Sequence, residues 1–100
     1  MGKLEIYVPS SRHPNLKEVT YEIKETFSSM FGGYTVQDVT GGWVNRRGEL
    51  VEEPIQIIYI YHGETEFILE ELMESLALNV KEKLQQEAVM IVIDGKQEFI

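Results

Sequence analysis

The segment from Ile55 to Tyr61 constrains the fold more than any other part of the chain, because apolar side chains occupy both of its alternating sets of positions. Successive side chains of a β-strand point to opposite faces of the sheet, so such a strand needs neighbours on both sides and cover on both faces. The sequence therefore predicts a central strand, introduced by Pro54 and ended by the polar stretch His62 to Thr65.

Three further strands are predicted. Leu4 to Val8 alternates apolar and other side chains and stops at Pro9, which indicates a half-buried first strand. Tyr34 to Thr40 contains β-formers mixed with polar residues, which is typical of an edge strand. Ala88 to Ile93 is the last strand, and the Asp94-Gly95 turn after it allows Gln97 to Ile100 to return as a short fifth strand.

Gly41-Gly42 predicts a kink in the polar edge strand, and Asn45 to Gly48 predicts a turn that folds this region into a ribbon. Two helices separate the strands. Apolar residues at helical spacing run from Leu16 to Phe31, and Gly32-Gly33 supplies the end of that helix. From Ile68 to Leu84 they recur every four residues, which predicts the second helix.

The order strand, helix, strand, strand, helix, strand predicts an α+β fold, a ferredoxin-like split β-α-β sandwich (βαββαβ). Its antiparallel sheet carries both helices on one face, with the first and third strands in the centre. A chain of 100 residues has room for one domain, residues 1–100.

The apolar last strand would lie at an edge, where exposed apolar strands invite aggregation. Either the short return strand or a second copy of the chain, packed on the helix-free face, would cover it. Tyr7, Met90 and the apolar third strand favour the second copy, so we expect a homodimer through the open sheet face.

Composition excludes several classes of protein. The net charge of −8 makes nucleic acid an unlikely partner, because phosphate binding relies on Lys and Arg. The absence of cysteine excludes disulfides and thiol chemistry. His13 and His62, both expected in loops, form no metal-binding spacing, and no cofactor or nucleotide motif is present, so we expect no metal, cofactor or side-chain nucleophile. Without a signal core or long apolar run, no membrane association is expected and the expected location is the cytoplasm.

Two places remain as candidate ligand-binding sites. Trp43 follows two glycines beside Asp38, Glu52 and Glu53, where the indole would either close over a small ligand or fill an apolar gap. The segment Gln85 to Glu87, at the junction of the second helix and the last strand, would either cap the helix or bind a ligand.

The segment Thr35 to Trp43 reads T-V-x-D-x-x-G-x-W. Gly48 to Glu52 adds G-x-L-x-E, and Lys83 to Val89 adds K-L-Q-Q-E-A-V. These motifs resemble the family called domain of unknown function 3574, over about residues 31 to 89. Leu84 and Ala88 stand where the family has an aromatic residue and a serine. The resemblance implies no activity. It marks five candidate positions: Asp38, Trp43, Glu52, Gln86 and Glu87.

Three functional hypotheses follow. The first is a non-enzymatic dimeric domain that binds a small molecule or a protein, since no nucleophile or metal set is recognisable. The second is an enzyme in which Asp38, Glu52 or Glu87 acts as general acid or base, after burial raises the pKa of that carboxyl. The third is an acidic inhibitor or antitoxin-like protein that imitates nucleic acid by its charge.

Overall fold

The computed structural model describes residues 1–63 and 66–100, which form two helices and five strands in the order β-α-β-β-α-β-β. The elements are β1 (Gly2–Pro9), α1 (Leu16–Phe31), β2 (Thr35–Val44), β3 (Leu50–His62), α2 (Glu66–Lys83), β4 (Met90–Ile93) and β5 (Lys96–Phe99). Glu64 and Thr65, which the sequence placed in the break after the third strand, lie outside the described residues. The predicted α+β fold is confirmed, with β5 added after β4.

The five strands form one antiparallel sheet in the order β2-β3-β1-β4-β5. The first and third strands are central, as predicted, and pair from Gly2 opposite His62 to Pro9 opposite Ile55. The fifth strand covers the apolar fourth one. Asp94 and Gly95 both take positive φ angles, 51° and 84°, as a two-residue type I′ hairpin turn requires.

Both helices lie on the same face of the sheet, because the apolar side chains of alternate strand positions form one core with them. Phe27 on α1 and Met73 on α2 are fully buried against Leu4, Ile6 and Ile58 of the two central strands. Gly32 ends α1 with a φ of 87°, and its N–H donates to the carbonyl of Ser28. No helix in the described part of the chain is long and apolar enough to cross a membrane.

The prediction of a kink at Gly41-Gly42 is wrong. Pairing of β2 with β3 runs without interruption to Val44 opposite Leu50, and the Asn45 to Gly48 turn follows. Glycine is needed at position 41 because the side chain of Ile55 packs against its backbone, and a Cβ there would collide with that side chain. His62 is likewise no loop residue. It ends the long strand β3 and is buried.

The face of the sheet away from the helices, the open face, carries the other set of strand side chains. Ile57 is only 8% exposed there, whereas Tyr61 is 58% exposed. Tyr59 and Tyr61 meet edge to face, and the ammonium of Lys3 lies 4.4 Å from the centre of the Tyr59 ring. The homodimer through this face stays a prediction.

Candidate functional site

A cleft of about 340 Å³ opens on the open face where β1 ends and β3 begins. Its floor and walls are largely apolar or aromatic, and two polar side chains reach into it. The side chains that matter here are Tyr7, Glu53, Ile55, Gln86, Met90 and Phe99. This sheet cleft has the common composition of a small-molecule site, an apolar body with a few polar groups that fix orientation.

Strand pairing places the sheet-cleft residues together although they are far apart in sequence. Pro9 lies opposite Ile55, and Met90 lies opposite Phe99. Because Gly41 carries no side chain, Ile55 can lie across β2 at the rim of the cleft. The cleft therefore depends on all five strands.

Gln86 enters the cleft because of how α2 ends. Gln85 takes a left-handed conformation with a φ of 54°, and the N–H of Gln86 donates to the carbonyl of Lys81 at 2.9 Å. The side-chain Nε2 of Gln86 donates to the carbonyl of Leu84 at 3.1 Å. The capping role considered for this segment is thus present, and the same carboxamide also faces the cleft.

A smaller cleft of about 90 Å³, the loop cleft, adjoins the first one. Pro9, Glu53 and Gln86 line both clefts, and Arg12 and His13 line only the smaller one. Glu53 is half-buried at this junction. The two clefts together form a groove with a carboxylate in the middle and a guanidinium at one end.

The structure does not bring together in one site the five candidate residues that the sequence suggested. Asp38 and Glu52 point to the helix side of the sheet, while Trp43 points to the open side and is 47% exposed. Glu87 is exposed in the loop before β4. Of the five, only Gln86 lines the groove, together with Glu53, which the sequence mentioned only as a neighbour of Trp43.

A polar pair, which the sequence did not predict, joins the buried His62 of β3 to the partly exposed Asp94 in the turn between β4 and β5. The Nε2 atom of His62 lies 2.9 Å from Oδ1 of Asp94, and the same oxygen accepts the N–H of Lys3 at 2.8 Å. Gly2 permits this approach, because a Cβ there would collide with both side chains. Only the strand register could reveal the pair, since 32 residues separate its members.

Asp94 gives the fold a dependence on pH. Burial acts to raise the pKa of its carboxyl, but the hydrogen bonds from the Lys3 N–H and from His62 outweigh it and lower the pKa below its usual value. A pKa lowered in the folded state means that the carboxylate stabilises the fold above about pH 4 and that this contribution is lost as the pH falls further.

Asp94→Asn is therefore expected to lower the melting temperature by several degrees at about pH 7, and by progressively less as the pH falls below about 4 and the wild-type carboxyl takes up its proton. The measurement is a series of thermal melts followed by circular dichroism. The control is Asp38→Asn, which removes the other aspartate, exposed on β2. An equal deficit for Asp94→Asn at every pH would contradict the assignment.

Among the side chains that the structure describes, no three of His, Asp or Glu come together in a way that could hold a metal ion.

Two solved structures share this fold, and both are of a phage SAM lyase. One is the apo state, 17% identical in sequence, with a TM-score of 0.71 over 99% of this chain and 87% of that chain. The other is a complex with S-methyl-5′-thioadenosine, 18% identical, with a TM-score of 0.72 over 99% of this chain and 88% of that chain. No curated protein sequence matches this chain.

These structures contradict the hypothesis of a non-enzymatic dimeric binding domain, because the proteins that share the fold over almost the whole chain are enzymes. Of the two alternatives, the enzyme is favoured over the acidic inhibitor.

The family comparison agrees with the sequence motifs. The model of the family described as "Protein of unknown function (DUF3574)" matches residues 16–99, which includes all of the segment on which the resemblance was based. The chain belongs to the DUF3574 family.

Proposed function

We propose that this protein is an enzyme that binds S-adenosylmethionine (SAM) in the groove and splits it into S-methyl-5′-thioadenosine and a four-carbon fragment. The observation that carries the proposal is the sheet cleft with Glu53 at its end, in a fold shared with a SAM lyase solved with that thioadenosine.

The sheet cleft suits the nucleoside part of SAM. Its volume, about 340 Å³, lies within the range of about 300–1,000 Å³ typical of small-molecule sites. Tyr7 and Phe99 offer aromatic surface to a flat base, and Phe99 is 62% exposed and therefore accessible. Met90 and Ile55 supply the apolar contact that a thioether methyl group prefers.

Glu53 suits the charge of SAM. The substrate carries a sulfonium and an ammonium group, and Glu53 is the carboxylate that lines both clefts, half-buried where its charge is less screened than on the surface. The net charge of −8 further attracts a cationic substrate toward the protein. By contrast, Asp38, Glu52 and Glu87 are all exposed, outside the groove.

The reaction needs little activation by the protein, because a sulfonium leaves as a neutral thioether. The bond between sulfur and the γ-carbon breaks, and its electron pair stays on sulfur. The electrons that replace it come either from the neighbouring C–H bond, after Glu53 takes that proton, or from the carboxylate of the same SAM molecule, which closes a lactone. In the first route Glu53 is a base, and in the second it holds the cation in place.

The test is incubation of the purified protein with SAM, with formation of the thioadenosine followed by liquid chromatography and mass spectrometry. A blank without protein corrects for spontaneous decay of SAM. Product formation well above the blank is expected, and proton NMR then separates the two isomeric four-carbon products. A rate equal to the blank, with no binding of SAM or of the thioadenosine by calorimetry, would overturn the proposal.

A further inference from the structure

The loop between β1 and α1, residues 10–15, is fixed to both segments that bring the polar groups into the groove. The N–H of Ser10 donates to the carbonyl of Pro54, next to Glu53, at 2.9 Å. The side-chain amide of Asn15 donates to the carbonyl of Lys83, at the end of α2, at 3.1 Å. The loop therefore keeps a set position relative to Glu53 and Gln86.

Arg12 and His13 lie in this loop and, with Ser11, present donor groups to the loop cleft. Arg12 is exposed, and the ion pairs of the described residues do not include it. The Nδ1 atom of His13 accepts the N–H of Asn15 at 3.0 Å, which places the proton of the neutral ring on Nε2. A guanidinium without an ion pair among the described residues and an imidazole N–H therefore lie together at one end of the groove.

We propose that Arg12, assisted by His13, binds the α-carboxylate of the substrate, so that the groove selects nucleoside thioethers and sulfonium compounds that retain a complete amino acid. This inference rests on the proposed function. The nucleoside occupies the sheet cleft, the aminobutyryl chain passes Glu53 where the two clefts join, and the carboxylate reaches the loop cleft. A carboxylate held there cannot reach the γ-carbon, so this arrangement goes with the elimination route, in which Glu53 is the base. A guanidinium matches a carboxylate in geometry as well as in charge.

The order of charges along the groove supports this arrangement. Glu53 lies between the sheet cleft and Arg12, so that a cation is favoured in the middle of the ligand and an anion at its end. SAM and S-adenosylhomocysteine have this order of groups, with the ammonium next to a terminal carboxylate. A ligand that lacks the carboxylate would leave Arg12 without a partner in the groove.

Calorimetry with three ligands that contain no sulfonium tests the inference without turnover. The ligands are S-adenosylhomocysteine, the same compound without its carboxyl group, and S-methyl-5′-thioadenosine. The wild-type protein is expected to bind the first about tenfold or more tightly than the second. In Arg12→Gln this ratio is expected to fall to about one, while affinity for the thioadenosine stays the same.

Arg47→Gln is the matched control, because Arg47 lies in the turn between β2 and β3 and lines neither cleft. It should keep the wild-type ratio. Equal weakening of both long ligands by Arg12→Gln, or a wild-type ratio near one with normal thioadenosine binding, overturns the role of Arg12 and leaves the nucleoside cleft intact. Failure of all three ligands to bind the wild-type protein overturns the proposed function itself.

Discussion

Replacement of Glu53 by glutamine is expected to raise the KM for SAM by about 10- to 100-fold, because the half-buried carboxylate then no longer offers a negative charge to the sulfonium and ammonium groups. If Glu53 is also the base, kcat falls as well. Glutamine keeps the size and most of the shape of the side chain. A rise in KM would therefore reflect the lost negative charge and not a change in the shape of the side chain.

S-methyl-5′-thioadenosine provides an internal control for this variant. The molecule is neutral, so its affinity should be almost the same in the wild-type protein and in Glu53→Gln. A parallel loss of SAM and thioadenosine binding would instead show that the cleft had changed shape. The measurements are steady-state kinetics for SAM and calorimetry for the thioadenosine.

Glu52→Gln tests whether the carboxylate that matters is Glu53, which lines the groove, or Glu52, which the sequence suggested. Glu52 is the neighbouring residue with the same chemistry, but it points to the other side of the sheet. Glu25→Gln, on the exposed side of α1, controls for the loss of one negative charge. A KM for SAM that rises equally in Glu52→Gln and Glu53→Gln would contradict a specific role for Glu53.

The largest effect on stability is expected at Phe27. Its side chain is fully buried and meets Phe31 edge to face, with ring centres 6.1 Å apart. Phe27→Ala should reduce the free energy of unfolding by about 3–5 kcal/mol, because it removes buried apolar surface and leaves a cavity. This is a large part of the roughly 5–15 kcal/mol that stabilises a typical domain.

Urea unfolding followed by circular dichroism measures this difference. Tyr21→Ala is the control on the same helix, since Tyr21 is 65% exposed and its loss should change stability by about 0.5 kcal/mol or less. If Phe27→Ala does not fold, Phe27→Leu gives a smaller loss that is still measurable. An unfolding midpoint for either Phe27 variant equal to that of the wild type would contradict the packing described here.

The candidate site was harder to predict than the fold. The sequence marked Gln86 through the Gln-Gln-Glu segment, but it paired Trp43 with Asp38 and Glu52, which lie on the other side of the sheet. Tyr7 and Phe99 lie at opposite ends of the chain, and no sequence pattern predicted that both would line the same cleft. A polar residue in a strand does not by itself show which face it occupies, because a shift of one position exchanges the faces.

The sequence by itself determined the elements and their order. Alternation in β1, four-residue spacing in α2, the glycine that ends α1 and the Asp94-Gly95 turn are local signals, and each depends on contacts between residues close in the chain. The order of elements then limited the topology, because connections in such folds follow few rules. The central positions of β1 and β3 could therefore be predicted.

Only the tertiary structure decided which residues form the groove. Tyr7, Glu53 and Gln86 meet because β1 pairs with β3 and because α2 ends beside them, and the pair of His62 with Asp94 depends on the same register. Such contacts join residues more than 30 positions apart. Their energies come from packing and pairing between whole elements, so no local pattern in the sequence contains them.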